Sequence, residues 1–399
     1  MTSTSNRPTR LYSLDALRGL AALAIIFWHW QHFYFSGVTP PANFSIPSQP
    51  LYSLFFLFYR SGHLAVDMFF TLSGFIFFWL YSKNISEGKV SAGEFFILRF
   101  SRLYPLHFLT LILVAVGQAL YLKTQGQYFV YADNDLYHFI LNIFFASSVG
   151  LEKGLSFNSP TWSVSVEVFL YVVFFLLCRW AKGRLSIIFA LSLLGFMILP
   201  LHLSMGRGLW AFFLGCSLYP LYLRLISHRT AHRWPAPLYL LTVVLWVASI
   251  AFSLNEFVLV RRSALWWLTY LFPILVLFPV TILSLAVIET QNGALGKKLS
   301  FLGDISYSLY LWHFPLQLLC VGLADYFHVS RDIFKSPLAV LVFFCYLMII
   351  AIISHRYFEM PAQRWLRSIL PISKYSNSSR KKSSNMHGVK ATVLASGRP

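Results

Sequence analysis

The chain has 399 residues, of which 57% are hydrophobic and only 12% are charged. Because soluble domains carry about 25% charged residues, this composition excludes a soluble globular protein and predicts a polytopic membrane protein. The formal net charge of +18 requires no nucleic-acid partner, since a basic C-terminal tail without acidic residues is expected to lie against the anionic lipid headgroups of the cytoplasmic leaflet.

Ten apolar segments approach the length of about 20 residues that a helix needs to cross the hydrocarbon layer. The predicted spans are residues 14–36, 64–82, 103–122, 162–181, 185–204, 208–226, 236–254, 264–289, 303–325 and 336–357. A further apolar run at residues 136–151 is shorter and contains Asn142, so we expect it to be re-entrant or interfacial. The sequence therefore predicts an all-α, polytopic transmembrane helix bundle.

The basic residues orient this bundle, because Lys and Arg accumulate in cytoplasmic loops. With ten spans and a cytoplasmic N-terminus, the basic clusters all fall inside, at Lys83, Lys89, Arg99 and Arg102, at Lys182 and Arg184, at Arg224, Arg229 and Arg233, at Lys297 and Lys298, and in the tail. The outer loops keep scattered charges such as Arg60 and Arg207. Both termini are predicted to be cytoplasmic, with an N-terminal segment 1–12, a transmembrane domain 13–366 and a disordered basic tail 367–399.

Neither a cleaved signal peptide nor a metal site is expected. The N-terminus lacks a short apolar segment with a small-residue cleavage site, so the first span is predicted to be retained. The four cysteines, Cys178, Cys216, Cys320 and Cys345, lie in apolar runs without close spacing. They indicate core packing, with neither a disulfide framework nor metal ligands.

The first span carries an arginine and a histidine that a simple membrane anchor does not need. Arg18 and His29 are eleven residues apart, so an α-helix places them about 20° apart around its axis and about 16 Å apart along it. Arg18 lies near the cytoplasmic end, where it either snorkels to the interface or serves a site. His29 lies too deep to snorkel and is predicted to be catalytic, with a structural hydrogen bond as the alternative.

Three further titratable side chains are predicted at about the depth of His29. Asp67 and Glu167 follow the starts of spans that enter from outside, and His313 lies near the middle of a span that enters from inside. A carboxylate beside His29 would fix its tautomer and favour the imidazolium, as expected of a general base. Asp67 or Glu167 is therefore predicted to pair with His29.

The cytoplasmic mouth carries a cluster of arginines. Arg99 and Arg102 lie one helical turn apart at the start of the span 103–122, beside Arg18 at the start of the first span. Such arginines either mark the topology of the flanking spans or form a cluster of guanidinium groups that makes bidentate contacts to phosphates. The charges alone leave both interpretations open.

Several motifs follow one another between Asp15 and Arg364, namely LDALRGLAALAIIFWH, DMFFTLSGF, RFSRLYPL, WSVSVEVFLY, ISYSLYLWHFP and HRYFEMPAQR. In order and spacing they are similar to the motifs of the integral-membrane acyltransferase family 3, whose members O-acylate carbohydrates and some small molecules. The first contains an arginine, ten intervening residues and a histidine, and the third contains Arg-x-x-Arg. Some members carry an extracytoplasmic esterase-like domain after the membrane region, and this sequence shows a short basic tail there instead.

The resemblance implies a membrane enzyme of the bacterial cytoplasmic membrane that takes acyl-CoA, most often acetyl-CoA, from the cytoplasm. Acyl-CoA is then a substrate, and no bound cofactor is expected. The acceptor implied is a hydroxyl group of a glycan or glycolipid. On this basis Arg18, Arg99 and Arg102 are expected to hold the phosphates of the donor, while His29 meets the acceptor.

Two mechanisms fit these residues. In the first, His29 deprotonates a sugar hydroxyl that attacks the thioester, and Asp67 or Glu167 orients the imidazole. In the second, His29 takes the acyl group itself and passes it on. His313 would polarise the thioester carbonyl or position the acceptor.

Three aromatic residues suggest a wall on which a sugar could stack. Aromatic side chains at span ends also form interfacial belts, so both roles are open. The residues are Trp162, Tyr307 and Tyr310.

A proton-coupled transporter or flippase is the alternative from another functional class, because intramembrane His, Asp and Glu also relay protons. Such a protein is expected to show an internal repeat or paired broken helices in its two halves. The sequence shows no internal repeat, which favours the acyltransferase.

Overall fold

The computed structural model describes residues 8–227, 231–254 and 270–369. Within these residues the chain is helical, without β-strands, and its one isolated bridge joins Ser36 to Thr39. The predicted basic tail lies outside the described residues from position 370 onward. The last described helix continues to Ile369, three residues past the predicted domain boundary at 366.

Thirteen α-helices of the described residues are numbered here in chain order. They are α1 Tyr12–His29, α2 Tyr52–Ser61, α3 Ala65–Ser86, α4 Ala92–Gln125, α5 Leu136–Ile143, α6 Trp162–Ala181, α7 Leu185–Ile198, α8 Leu203–Ser227, α9 Pro235–Leu254, α10 Tyr270–Asn292, α11 Ser300–Asp304, α12 Ser306–Tyr326 and α13 Pro337–Ile369. Helix α10 contains a π-helical turn at Pro273–Leu277, and α13 contains one at Ser354–Glu359.

The all-α, polytopic prediction is confirmed. Among the described residues, 7 helical segments are long and apolar enough to cross a membrane. Three more of the predicted spans are helical. They are occupied by the shorter apolar helix α7 and by α1 and α12, which carry polar residues. The total number of spans and the side on which the termini lie stay predictions.

The run 136–151 forms only the eight-residue helix α5, followed by turns. Eight residues rise about 12 Å, much less than the hydrocarbon thickness of about 30 Å, so this helix is too short to cross the bilayer. Its Asn142 is buried, and the Asn142 backbone carbonyl accepts a hydrogen bond of 2.8 Å from His107 of α4. The run therefore packs against the bundle.

Helix α1 is fixed at its N-terminus by a carboxylate from another helix. The buried Glu289 of α10 accepts hydrogen bonds from the backbone nitrogens of Tyr12 and Ser13, both at 2.8 Å, and from the Ser13 hydroxyl at 2.6 Å. The two backbone nitrogens are donors that an isolated helix leaves unsatisfied, and a negative charge at this end also complements the helix dipole. Glu289 thereby sets the position of the helix that carries Arg18 and His29.

Helices α3 and α8 pack so closely that two glycines are required. A Cβ atom on Gly74 would lie 1.9 Å from the backbone oxygen of Phe212, and one on Gly215 would lie 1.9 Å from that of Thr71. Small residues permit such close backbone approach between membrane helices, whose association depends on van der Waals packing. This contact sets which face of α3 is turned toward α8.

The buried apolar side chains form two clusters, and α12 belongs to both. Tyr310 and Leu311 pack into the cluster around α3, α6, α8 and α10. Leu309 and Phe314 pack into the cluster around the end of α1, α4 and the first part of α13. His313 of α12 therefore lies at the boundary between the two cores.

The predicted orientation can be tested by labelling single cysteines with a membrane-impermeant thiol reagent in a background lacking the native cysteines. Asn43 and Leu155 should label from outside, whereas Lys83 and Ser227 should label only after permeabilisation. All four side chains are exposed, so labelling depends on the side of the membrane on which each one lies and not on its burial. Labelling of Lys83 or Ser227 in intact cells would overturn the predicted orientation.

Candidate active site

Helix α1 carries a polar group near each end, and both face α11 and α12. The Arg18 guanidinium donates to the Gly303 backbone oxygen at 2.7 Å, and the His29 imidazole contacts His313 at 3.2 Å. The prediction that Arg18 and His29 share one face of the helix is therefore confirmed. Helix α1 ends at His29, and Trp30–Tyr34 continue as a 3₁₀-helix, so the predicted span 14–36 is not one continuous α-helix.

The three predicted arginines line one pocket. This cavity of about 180 Å³ lies between α1, α3, α4, α6 and α12. Its polar walls include Arg18, Arg99, Arg102, Ser73, Glu167, Tyr171, Ser306, Tyr307 and Tyr310. Six predicted site residues therefore meet in a single cavity, although the sequence analysis had assigned them to three different roles.

The three guanidinium groups are held differently. Arg18 is also ion-paired with Asp15 at 3.0 Å, and Arg99 donates to the Tyr81 hydroxyl at 2.7 Å. Arg102 is exposed and has no hydrogen bond or ion pair within the described residues, and its charge lies close enough to oppose that of Arg18. Like charges at the wall of one cavity favour an anionic ligand there.

Glu167 belongs to this arginine-lined pocket. The Ser73 hydroxyl of α3 donates to Glu167 Oε1 at 3.1 Å. The predicted pairing of Glu167 with His29 was wrong, because depth along a helix does not fix the direction in which a side chain points. On α6 the carboxylate is turned toward α3, and it faces the pocket.

His29 is paired with another histidine. His29 Nδ1 lies 3.2 Å from His313 Nε2, and the two rings are stacked with centroids 4.9 Å apart. His313 Nδ1 is hydrogen-bonded to the Tyr310 backbone oxygen. Because a carbonyl only accepts, His313 Nδ1 carries the proton, and its Nε2 accepts from His29 Nδ1.

This assignment from the hydrogen-bond network leaves the lone pair of neutral His29 on Nε2. Gln317, one turn beyond His313, donates to the His29 backbone oxygen at 2.9 Å and fixes the end of α1. His29 is therefore held in the tautomer that a general base requires.

Asp67 is bound to an arginine. Arg207 of α8 makes a bidentate contact with it, from Nε to Oδ1 at 3.0 Å and from Nη2 to Oδ2 at 2.6 Å. Both residues are buried, at 0% exposure for Asp67 and 8% for Arg207. The predicted pairing of Asp67 with His29 was therefore also wrong, since Asp67 is paired with Arg207 and His29 with His313.

Arg207 was assigned to an outer loop by the sequence analysis because the span was expected to begin at residue 208. Helix α8 begins at Leu203, so Arg207 lies just inside it. Asp67 lies just inside α3, and both spans were predicted to enter from the same side. The signal that could have identified this pair was the presence of opposite charges at the outer starts of two predicted spans.

Two of the three aromatic residues predicted to bind a sugar line the arginine-lined pocket. Trp162 stacks under the Arg207 guanidinium, 5.0 Å from its carbon to the ring centroid. Tyr307 and Tyr310 line the arginine-lined pocket, where the Tyr307 hydroxyl donates to the Leu103 oxygen at 2.7 Å. Trp162 therefore packs on the buried ion pair and does not line that pocket, although the Tyr310 hydroxyl contacts its neighbour Ser163 at 3.0 Å.

A family model described as an acyltransferase domain matches residues 11–356. A peptidoglycan O-acetyltransferase OatA from Listeria monocytogenes is 26% identical over 90% of this chain and 57% of that protein. An O-acetyltransferase OatA from Staphylococcus aureus is 23% identical over 90% of this chain and 58% of that protein.

A shorter match is to a protein of Rhizobium radiobacter named protein 2 in the picA locus. It is 39% identical over 108 residues, which cover 27% of this chain and 46% of that protein. The chain thus spans about half the length of the curated relatives it matches. No solved structure matches it.

Proposed function

Because the chain belongs to the family of acyltransferase domains, whose model covers residues 11–356, we propose that it transfers an acetyl group from cytoplasmic acetyl-CoA to a hydroxyl group of a cell-surface or lipid-linked glycan. Family membership makes the chain an integral-membrane acyltransferase and favours this function over the proton-coupled transporter. The acetyl group and the glycan are proposed from the OatA relatives, whose names describe O-acetyltransferases and, for the Listeria protein, peptidoglycan.

The observation that carries the proposal is the position of Tyr310 between the two polar centres. Its side chain lines the arginine-lined pocket, while its backbone oxygen binds His313, the partner of His29. A donor whose phosphates contact the arginines would extend its thioester arm along this wall. The proposed path therefore runs from the arginine-lined pocket along Tyr310 to His29, about three helical turns further along α1.

The first mechanism follows from the tautomer of His29. Nε2 removes the proton of the acceptor hydroxyl while that oxygen attacks the thioester carbonyl, and the carbon–sulfur bond breaks. The leaving thiolate recovers the proton from His29, so the products are an ester and free CoA. His313 accepts the hydrogen bond from Nδ1 throughout and stabilises the imidazolium, although less than a carboxylate would because it is neutral.

The second mechanism uses the same lone pair as a nucleophile. Nε2 attacks the thioester carbonyl, CoA leaves, and the acyl group passes from the imidazole to the acceptor oxygen, whose proton is released. Both mechanisms require His29 and a protonated Nδ1, so the geometry of the histidine pair supports each of them.

The proposal is tested with purified protein, acetyl-labelled acetyl-CoA and a glycan acceptor. We expect label on the glycan as an alkali-labile ester, together with release of CoA. Cells lacking the protein should lose ester-linked acetyl groups from a surface glycan. Unchanged ester content in those cells, together with no CoA release by the pure protein, would refute the proposal.

Arg102 should govern the affinity for the donor. Arg102→Ala is expected to raise KM for acetyl-CoA about tenfold or more with little change in kcat, since hydrogen bonds to charged groups contribute about 1.5–3 kcal/mol. Arg102→Lys should restore this affinity only in part, because a point charge does not reproduce the planar guanidinium. Arg99→Ala should also raise KM, with an added cost to folding from its lost contacts to Tyr81 and Phe77.

The control is Arg364→Ala, which removes an exposed arginine that donates within its own helix and does not line the pocket. It should leave KM unchanged. Equal KM values for Arg102→Ala and Arg364→Ala would return Arg102 to a purely topological role.

A further inference from the structure

We propose that a second cavity binds the lipid tail of a lipid-phosphate-linked acceptor, an inference that rests on the proposed transferase function. This groove has a volume of about 690 Å³ and lies between α1, the α2–α3 junction, α9 and α10. Its apolar walls include Leu17, Ala21, Ala24, Met68, Trp246 and Phe278. Among the described residues it shares no lining residue with the arginine-lined pocket.

The groove runs along the middle of α1. Leu17 and Ala24 both line it, and seven residues of helix rise about 10 Å. Leu20 at its rim is 44% exposed, on a helix that the bilayer surrounds. Because hydrocarbon is the solvent at this depth, an open apolar groove there is filled by a lipid chain.

One end of the groove is polar. Arg60, Ser61 and His63 line it there, whereas the other described lining residues are apolar except for Ser249 and Tyr270. This end lies beside Ala24 and Trp28 of α1, away from Arg18 and the arginine-lined pocket. A cation at one end of an apolar groove matches an amphiphile with an anionic head, and the guanidinium fork of Arg60 suits a phosphate.

The polar end is also close to the histidine pair. The Trp28 ring lies 5.6 Å from the His63 ring and 4.7 Å from the His29 ring, measured between centroids. A Cβ atom on Gly62 would lie 2.2 Å from the Ala24 oxygen, so glycine is what allows this end to approach α1. The Trp28 ring thus lies between the polar end and His29, and a sugar attached to a phosphate at Arg60 would extend past this ring to reach His29.

These contacts fit a lipid with a phosphate head, and because the proposed reaction needs a sugar hydroxyl at His29, the ligand assigned to the groove is a polyprenyl phosphate that carries a sugar. The tail would occupy the groove, the phosphate would contact Arg60, and a sugar hydroxyl would reach His29 from the side opposite the donor. Ordinary membrane phospholipid is the competing occupant, because it also has hydrocarbon chains and a phosphate.

Binding is tested without relying on turnover. The full chain in phosphatidylcholine vesicles is photolysed with one of three diazirine probes, namely polyprenyl phosphate, polyprenol and phosphatidylcholine, and the labelled peptides are mapped by mass spectrometry. We expect polyprenyl phosphate to label α1 and α9 at the groove several-fold more than the other two probes do. Equal labelling by phosphatidylcholine would show annular lipid only and overturn the proposal.

A second test measures acetyl transfer by a matched pair of variants on α9. Ala248 lines the groove, whereas the neighbouring Val247 is 61% exposed and does not. Ala248→Trp should lower transfer to a polyprenyl-phosphate-linked sugar tenfold or more while leaving transfer to the free oligosaccharide unchanged, and Val247→Trp should alter neither. Equal transfer to the lipid-linked sugar by both variants would refute the proposal that the groove binds the lipid tail.

The failure of the proposed function gives a different pattern. If the unmodified protein releases no CoA with either acceptor, the transferase assignment fails, whereas selective photolabelling by polyprenyl phosphate would still establish the groove. If the protein acetylates both acceptors and neither the photolabelling nor Ala248→Trp is selective, only the groove fails.

Discussion

Replacing His29 with alanine is expected to lower acetyl transfer by about 10² to 10⁴-fold, the usual contribution of general acid–base catalysis. The hydrogen bond to His313 places the proton of His29 on Nδ1, so Nε2 carries the lone pair that accepts the proton of the acceptor hydroxyl. The loss should appear in kcat, with KM for acetyl-CoA nearly unchanged, since the arginine-lined pocket remains intact. Initial rates with labelled acetyl-CoA give both constants.

His202→Ala is the matched control, because this half-buried histidine pairs with Glu152 in a loop and lies in neither pocket. It should retain near-normal turnover, and both variants should elute as folded protein. Near-normal turnover by His29→Ala would remove His29 from the chemistry. His313→Leu should cause a smaller loss than His29→Ala, because it removes the acceptor for Nδ1 but keeps Nε2.

The two mechanisms differ when the acceptor is omitted. A relay through His29 predicts that label from acetyl-CoA becomes bound to the protein and that His29→Ala abolishes this label. Direct attack by the acceptor hydroxyl predicts no protein-bound label in either protein. Rapid quenching and peptide mapping separate these outcomes.

The relation between Arg18 and His29 was predictable because the helical repeat is fixed by backbone hydrogen bonds. An eleven-residue spacing puts two side chains on one face in any regular α-helix, and the contacts to Gly303 and His313 bear this out. Apolar length likewise predicted an all-α membrane bundle. The grouping of Arg18, Arg99 and Arg102 followed from their common position near the starts of two spans.

The partners of the carboxylates were not predictable from depth. Asp67 and Glu167 were placed at the level of His29, but which neighbour each one faces depends on the rotation of its helix. For α3 that rotation is set by close packing on α8, where Gly74 meets the Phe212 oxygen. No periodicity within α3 specifies this contact, so depth alone did not select Arg207 over His29 as the partner of Asp67.

Breaking the buried pair of Asp67 and Arg207 should destabilise the protein by about 3–5 kcal/mol, because either single replacement leaves a charge buried without its partner. Asp67→Asn or Arg207→Met removes the bidentate contact at 2.6 and 3.0 Å and loosens α3 from α8. Arg207→Met also frees the His63 oxygen, which now accepts from Arg207 at 2.9 Å. Unfolding of the purified protein in detergent measures the loss.

A structural role and a catalytic role for Asp67 give opposite results in the double variant. Asp67→Leu with Arg207→Met removes both charges, so it should be more stable than either single variant and should recover acetyl transfer in proportion to folded protein. The control is Thr71→Val, one turn further along α3. The buried Thr71 hydroxyl donates to the backbone oxygen of Asp67 within the same helix and does not contact the ion pair. If the double variant folds as well as the unmodified protein yet transfers no acetyl group, Asp67 or Arg207 acts in the reaction, and the ion pair is more than a link between α3 and α8.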